Sequence, residues 1–81
     1  MRIGRDRFVR NVLIAAGNSV DFELIPQVER LLDDASPVVR GAAIWALGKL
    51  SAERFAVARV DRATAESDFE VRGEWASFEG L

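Results

Sequence analysis

A short fragment occurs three times along the chain, at residues 6–10, 36–40 and 68–72. Each copy begins with Asp or Ser, residues that are favoured at the N-cap of a helix, and ends in a valine followed by an arginine. The three arginines are 30 and 32 residues apart. A period near 30 residues, in units that each contain a helix boundary, predicts a stack of helical pairs and therefore an all-α solenoid.

Capping residues and apolar spacing predict five helices, which make two and a half helical pairs, and no strand pattern competes with them. The first helix is predicted to begin at an Asp6 cap and to end before Gly17, which would take the left-handed conformation. The second is predicted to begin near Phe22 or Glu23, because Pro26 lacks an N–H and fits only the first turn of a helix.

The third helix is predicted over residues 37–50, because Ser36 is a good N-cap and Pro37 suits the first helical position. This segment is apolar nearly all round. A helix without a polar face is buried on several sides, so we expect it to lie at the centre of the stack with Trp45 fully buried.

The last two helices are also predicted from their capping residues and apolar spacing. Ser51 can cap a fourth helix over about residues 52–65, and Ser67 with Glu70 has the spacing of a capping box for the fifth. The apolar residues that this spacing places on one face of the fifth helix are Val71, Trp75 and Phe78.

The domain organisation is predicted as a basic arm over residues 1–5 followed by a single repeat domain over residues 6–81. Solenoids need terminal helices with a polar outer face, and the apolar first helix lacks one in the sequence. We therefore expect it to pack against another domain, another protein or a second copy of the chain.

Cysteine and histidine are both absent, which removes thiolate and imidazole chemistry, iron–sulfur ligation and nearly every zinc site. No apolar run reaches the ~18–20 residues that cross a bilayer, and no secretory signal is visible. The sequence therefore predicts a non-catalytic cytoplasmic domain with no metal, no cofactor of its own and no membrane partner.

Residues 31–48 resemble the HEAT repeat, in which an aspartate lies six positions before the arginine of a Val-Arg pair. Asp34 lies six residues before Arg40, and Glu66 lies six residues before Arg72. The resemblance implies two structural pairs, Asp34 with Arg40 and Glu66 with Arg72, each joining a turn to the next helix by charge-assisted hydrogen bonds.

A narrower resemblance rests on residues 2–19 together with the Ser-Pro-Val-Val-Arg-Gly-Ala-Ala-Ile-Trp-Ala-Leu segment. These are similar to the C-terminal region of bacterial epoxyqueuosine reductase, which acts in queuosine synthesis on tRNA. The family uses cobalamin and 4Fe-4S clusters in upstream domains that this chain lacks. The resemblance implies a module that helps to hold the tRNA anticodon stem-loop, or that packs on an upstream reductase domain.

Four arginines lie within the first ten residues, at Arg2, Arg5, Arg7 and Arg10, against one acid, Asp6. Cations are unfavourable at the N-terminal end of a helix, so this cluster is expected to meet an anionic partner. The resemblance implies that the partner is tRNA phosphate, while salt bridges to another domain explain the cluster equally well.

The remaining candidates favour structural roles. Trp45 and Trp75 are predicted to be core residues, and Gly41 and Gly73 to allow close helix approach. We expect a non-catalytic, RNA-contacting HEAT-like module. The alternative is a protein-interaction scaffold that docks through its apolar first helix.

Overall fold

The computed structural model describes residues 2–77, with the side chains of residues 2 and 3 left out of the description. This part of the chain contains five α-helices, one short 3-10 helix and no strand, which confirms the predicted all-α solenoid class. The helices are α1 (Arg2–Ser19), α2 (Ile25–Leu31), α3 (Pro37–Leu50), α4 (Ala52–Arg62) and α5 (Phe69–Ala76), and the 3-10 helix (Phe22–Leu24) precedes α2.

Side-chain caps set the starts of α3 and α4 as the sequence predicts. The Ser36 hydroxyl accepts a hydrogen bond from the backbone N–H of Val39, and the Ser51 hydroxyl accepts one from Arg54 at 3.1 Å. Pro26 lies in the first turn of α2, where its missing N–H removes no helical bond. These caps confirm the predicted starts of α3 and α4 and the early position of the proline.

Two predictions about α1 are wrong. The helix begins at Arg2 instead of at an Asp6 cap, so residues 2–5 form its first turn. Gly17 is helical, and Val20 takes the left-handed conformation instead, with a φ of 58°. The Ser19 hydroxyl donates to the carbonyl of Ala16 and accepts from the backbone N–H of Asp21, and these two bonds hold the turn in place.

The start of α5 also differs from the prediction. Its N-cap is Asp68 instead of Ser67, and one Asp68 carboxylate oxygen accepts from the backbone N–H groups of Glu70 and Val71, at 2.9 and 3.1 Å. A carboxylate one residue later satisfies two free N–H groups at once, which explains why it replaces the serine. Phe78, predicted to lie on the apolar face of α5, falls outside the described residues.

The third helix is the centre of the fold, as its uniformly apolar sequence predicts. It packs against all four other helices. Its core side chains are Val39, Ala43, Ile44, Ala46, Leu47 and Leu50, all at most 4% exposed. Trp75 is also buried and stacks at a tilt on Phe55, with ring centroids 5.4 Å apart.

Close approach between helices occurs at Gly17 and not at the predicted glycines. A Cβ atom added at Gly17 would lie 2.6 Å from the Trp45 ring and 3.2 Å from the Ala46 Cα, so α1 and α3 touch there. A Cβ at Gly73 meets nothing within 4 Å, and one at Gly41 makes only an ordinary contact. Trp45 is only half-buried, so the prediction of its full burial is wrong, and the Lys49 ammonium group lies over its ring, 5.8 Å from the centroid.

Candidate functional site

Arg40 joins two successive repeats. Its Nε and Nη2 groups donate to the two carboxylate oxygens of Glu66, each at 2.9 Å. Its Nη1 group donates to the backbone carbonyls of Asp34 and Ala35, at 2.9 and 3.1 Å. One guanidinium group therefore ties the turn before α3 to the turn before α5.

Arg40 bonds Asp34 as predicted, but through the backbone carbonyl instead of the carboxylate, and the predicted pairing of Glu66 with Arg72 is wrong. Each acid bonds an arginine on an earlier helix. Glu66 pairs with Arg40 on α3, and Asp34 accepts two hydrogen bonds from Arg5 on α1, at 2.6 and 2.9 Å. Arg72 is exposed, and no bond joins it to Glu66 within residues 2–77. We name the Arg5–Asp34 and Arg40–Glu66 pairs the repeat ladder.

The acids of the repeat ladder also hold their own turns. Asp34 accepts a bond from the backbone N–H of Ser36, and Glu66 accepts one from that of Asp68. Each acid thus caps its own turn and also bonds an arginine of an earlier helix, whereas Arg40, six residues after Asp34, donates to the backbone carbonyls of that turn. The hydrogen bonds from Arg40 lower the pKa of Glu66, which is half-buried.

A second set of bridges links α4 to the end of α2, and sequence reasoning missed it. Arg54 donates to both carboxylate oxygens of Glu29, at 2.8 and 3.0 Å, and Arg62 does so to Asp33, at 3.0 and 3.2 Å. The partners are 25 and 29 residues apart, close to one repeat. That spacing is the only feature of the sequence that could have indicated these two bridges.

The arginines predicted to form one RNA-binding cluster do not share a face. Arg5 is engaged by Asp34 and Asp6, whereas Arg7 and Arg10 are exposed. At 3.6 residues per turn, Arg5 and Arg7 point about 160° apart around α1. The side chain of Arg2 lies outside the described residues.

A groove of about 460 Å³ crosses α1, α3 and α5. Ile14, Ala42 and Trp45 are among the apolar residues that line it, and Val38 lies at its edge with 54% of its surface exposed. The volume is within the ~300–1,000 Å³ that is typical of ligand clefts. Sequence reasoning did not find this groove, because its lining comes from three separate helices.

The charges that line the groove differ between its two walls. Arg10 projects from α1, whereas Asp68, Glu70 and Glu74 belong to the N-cap and body of α5. Glu74 is half-buried, and burial raises its pKa. No Lys or Arg whose side chain the structure describes, over residues 4–77, forms an ion pair with it. The α5 wall thus presents excess negative charge beside an apolar floor.

The outer side of α1 is part apolar and part polar. Phe8, Val12 and Ala15 form an exposed apolar stripe, in which Phe8 is 68% exposed and Val12 49%. Arg7 and Asn11 are exposed beside it, so the expectation that α1 lacks a polar face is wrong. Docking of a partner or of a second copy on this stripe stays a prediction.

Comparison with known families decides what the chain is. A family model described as HEAT repeats matches residues 6–77, nearly the whole chain. The chain belongs to the HEAT-repeat family. HEAT modules are generally non-catalytic scaffolds for protein interaction, and the repeat ladder and the central apolar α3 are the features that hold this HEAT stack together.

Comparison with individual proteins adds less. An "Uncharacterized protein in gldA 3'region" from Geobacillus stearothermophilus is 29% identical over 72 residues, which cover 88% of this chain and 33% of that protein. The HEAT module thus spans about a third of the length of this curated relative. No solved structure matches the chain.

Two further properties concern the described part of the HEAT module. No helix in residues 2–77 is long and apolar enough to cross a membrane. In the same part of the chain, no three acidic side chains come together in a way that could hold a metal ion.

Proposed function

We propose that this HEAT module is a protein-interaction module that binds a segment of another protein in the groove across α1, α3 and α5. The observation that carries the proposal is the groove itself. It combines an apolar surface, which includes the partly exposed Trp45, with charged groups on both walls. Apolar surface rimmed by polar groups is typical of interaction sites.

The stability of the repeat stack supports this use of the groove. The repeat ladder fixes the successive turns that carry α3 and α5, so the groove walls keep their positions without a partner. A preformed surface binds with a smaller entropy cost than one that must order on binding.

A matched pair of surface variants tests the proposal. Val38→Asp places a charge at the edge of the groove, whereas Val60→Asp places the same charge on α4, where Val60 is 80% exposed. We expect affinity capture from the source cells, after RNase treatment, to retain a protein on the parent and on Val60→Asp but not on Val38→Asp. Binding of that purified protein to the parent then completes the test, and equal capture by both variants contradicts the proposal.

A second candidate is contact with tRNA phosphate, in the role that the resemblance to epoxyqueuosine reductase implies. The observation in its favour is the charge of α1, which carries four arginines and one acid, a sum of +3. Arg7 and Arg10 are three residues apart, so they lie about 60° apart on the helix and can reach one RNA backbone.

The RNA candidate has its own matched control. The double variant Arg7→Gln/Arg10→Gln removes two exposed cations from α1, and Arg30→Gln/Arg72→Gln removes two from elsewhere on the surface. If α1 contacts phosphates, only the first pair should weaken binding of an anticodon stem-loop and reduce the salt slope by about two. Equal losses from both pairs would indicate diffuse electrostatic attraction.

A further inference from the structure

We infer that the groove recognises a protein segment that carries a lysine or arginine beside an apolar side chain, with Glu74 as the residue that selects the cation. The inference rests on the proposed protein-binding function and adds the chemistry of the partner. The expected partner is a basic, partly apolar segment, and the experiment below also measures acidic and neutral segments.

Glu74 is one of the residues that line the groove. Its side chain lies between α5 and α3, where its Cγ atom is 3.6 Å from the place that a Cβ on Gly41 would occupy. The Glu74 stem therefore packs against α3 beside Gly41, and Glu74 lines the α5 wall of the groove next to its apolar floor. From there it faces the same space as Ala42 and Trp45.

This carboxylate lacks a partner of opposite charge in the part of the chain whose side chains are described. Glu29, Asp33, Asp34 and Glu66 each accept bonds from an arginine, but among the described side chains, those of residues 4–77, Glu74 forms no ion pair. Its pKa is raised by burial alone, with no cation to offset the effect. A half-buried carboxylate beside apolar surface gains more from a cation than an exposed one does.

The groove as a whole carries a negative charge. Arg10 contributes +1 and Asp68, Glu70 and Glu74 contribute −3, so the ionisable groups that line it sum to −2. Asp68 is occupied as the cap of α5, and Glu70 is exposed at the rim. Glu74 is therefore the acid best placed to meet a cation on a segment whose apolar side chains rest on the floor.

The test uses fluorescently labelled amphipathic peptides about three helical turns long, with leucines on one face. In a positional scan, each remaining position is filled in turn with Lys, Arg, Gln or Glu. Anisotropy measures the affinity for the parent, for Glu74→Gln and for Glu70→Gln, a control that removes the same charge from the exposed rim of the same helix. Acrylamide quenching of Trp45 locates the bound peptide, since Trp75 is only 2% exposed.

We expect at least one position at which Lys or Arg binds about tenfold more tightly than Gln, with Glu weaker still. Glu74→Gln should abolish that preference and Glu70→Gln should preserve it, while the bound peptide protects Trp45 from quenching. If leucine peptides bind and protect Trp45 regardless of charge, the inference fails and the proposed function stands. If no peptide in the scan binds, both are overturned.

Discussion

The pairing of Arg40 with Glu66, across two repeats, can be measured by a double-mutant cycle. The variants are Arg40→Ala, Glu66→Ala and the combination of the two, and the cycle isolates the free energy that the two side chains contribute together. A parallel cycle joins Arg40→Ala with Asp34→Ala. It tests the pairing that the sequence spacing indicates, in which Asp34 would be the partner.

The structure sets the size of the effect. The side chains of Arg40 and Glu66 are 17% and 9% exposed and share two charge-assisted hydrogen bonds. Exposed ion pairs contribute ~0.2–1 kcal/mol and hydrogen bonds to charged groups ~1.5–3 kcal/mol, so we expect a coupling of about 1–2 kcal/mol. Arg40→Ala alone should cost about 2–3 kcal/mol, because it also frees two turn carbonyls and leaves Glu66 without its cation.

Urea unfolding followed by far-UV circular dichroism gives the four free energies of each cycle. Thermal unfolding provides a check, because ~1 kcal/mol shifts the Tm of a domain of this size by about 4–8 °C. The pair Arg54 and Glu29 is the control, since the Arg54 side chain is 52% exposed and the coupling should stay below about 0.5 kcal/mol.

Either of two results would contradict the pairing of Arg40 with Glu66. One is a coupling between Arg40 and Asp34 that equals or exceeds the coupling between Arg40 and Glu66, since Arg40 touches only the backbone carbonyl of Asp34. The other is additivity of Arg40→Ala and Glu66→Ala within about 0.5 kcal/mol, which is the behaviour of independent sites.

Three further predictions concern single residues. Gly17→Ala should be less stable than Gly73→Ala by about 1–3 kcal/mol in urea unfolding, because its methyl group overlaps the Trp45 ring whereas the one at Gly73 meets open space. The hydrogen bonds from Arg40 lower the pKa of Glu66 in the folded state, so they stabilise the fold above pH 4.5 and lose that effect as the pH falls further. In a series of Tm measurements against pH, Glu66→Gln should therefore lose less stability than the parent as the pH falls below 4.5. Burial raises the pKa of Glu74, and this shift destabilises the fold once the group is charged. Measured by calorimetry, the Tm of Glu74→Gln should therefore be higher than that of the parent at pH 7 and equal to it in acid. An unchanged or lower Tm at pH 7 would show that the charge is already compensated.

The sequence by itself determined the architecture, because the signals for it are local. Ser36 and Pro37 mark the start of α3, Ser51 that of α4, and the period of the Val-Arg fragment gives the number of repeats. A cap or an apolar helix depends on residues within a turn or two of the chain, so these features can be predicted without knowing what packs against what.

Only the tertiary structure decided which residues meet across the repeats. The spacing of Asp34 and Arg40 suggests a local pair, yet the acid bonds Arg5 and the arginine bonds Glu66, because packed helices bring side chains about one repeat apart within hydrogen-bond distance. The contact of Gly17 with α3 has the same origin. So has the groove, since its floor and its two walls belong to different helices and exist only once α3 lies between α1 and α5.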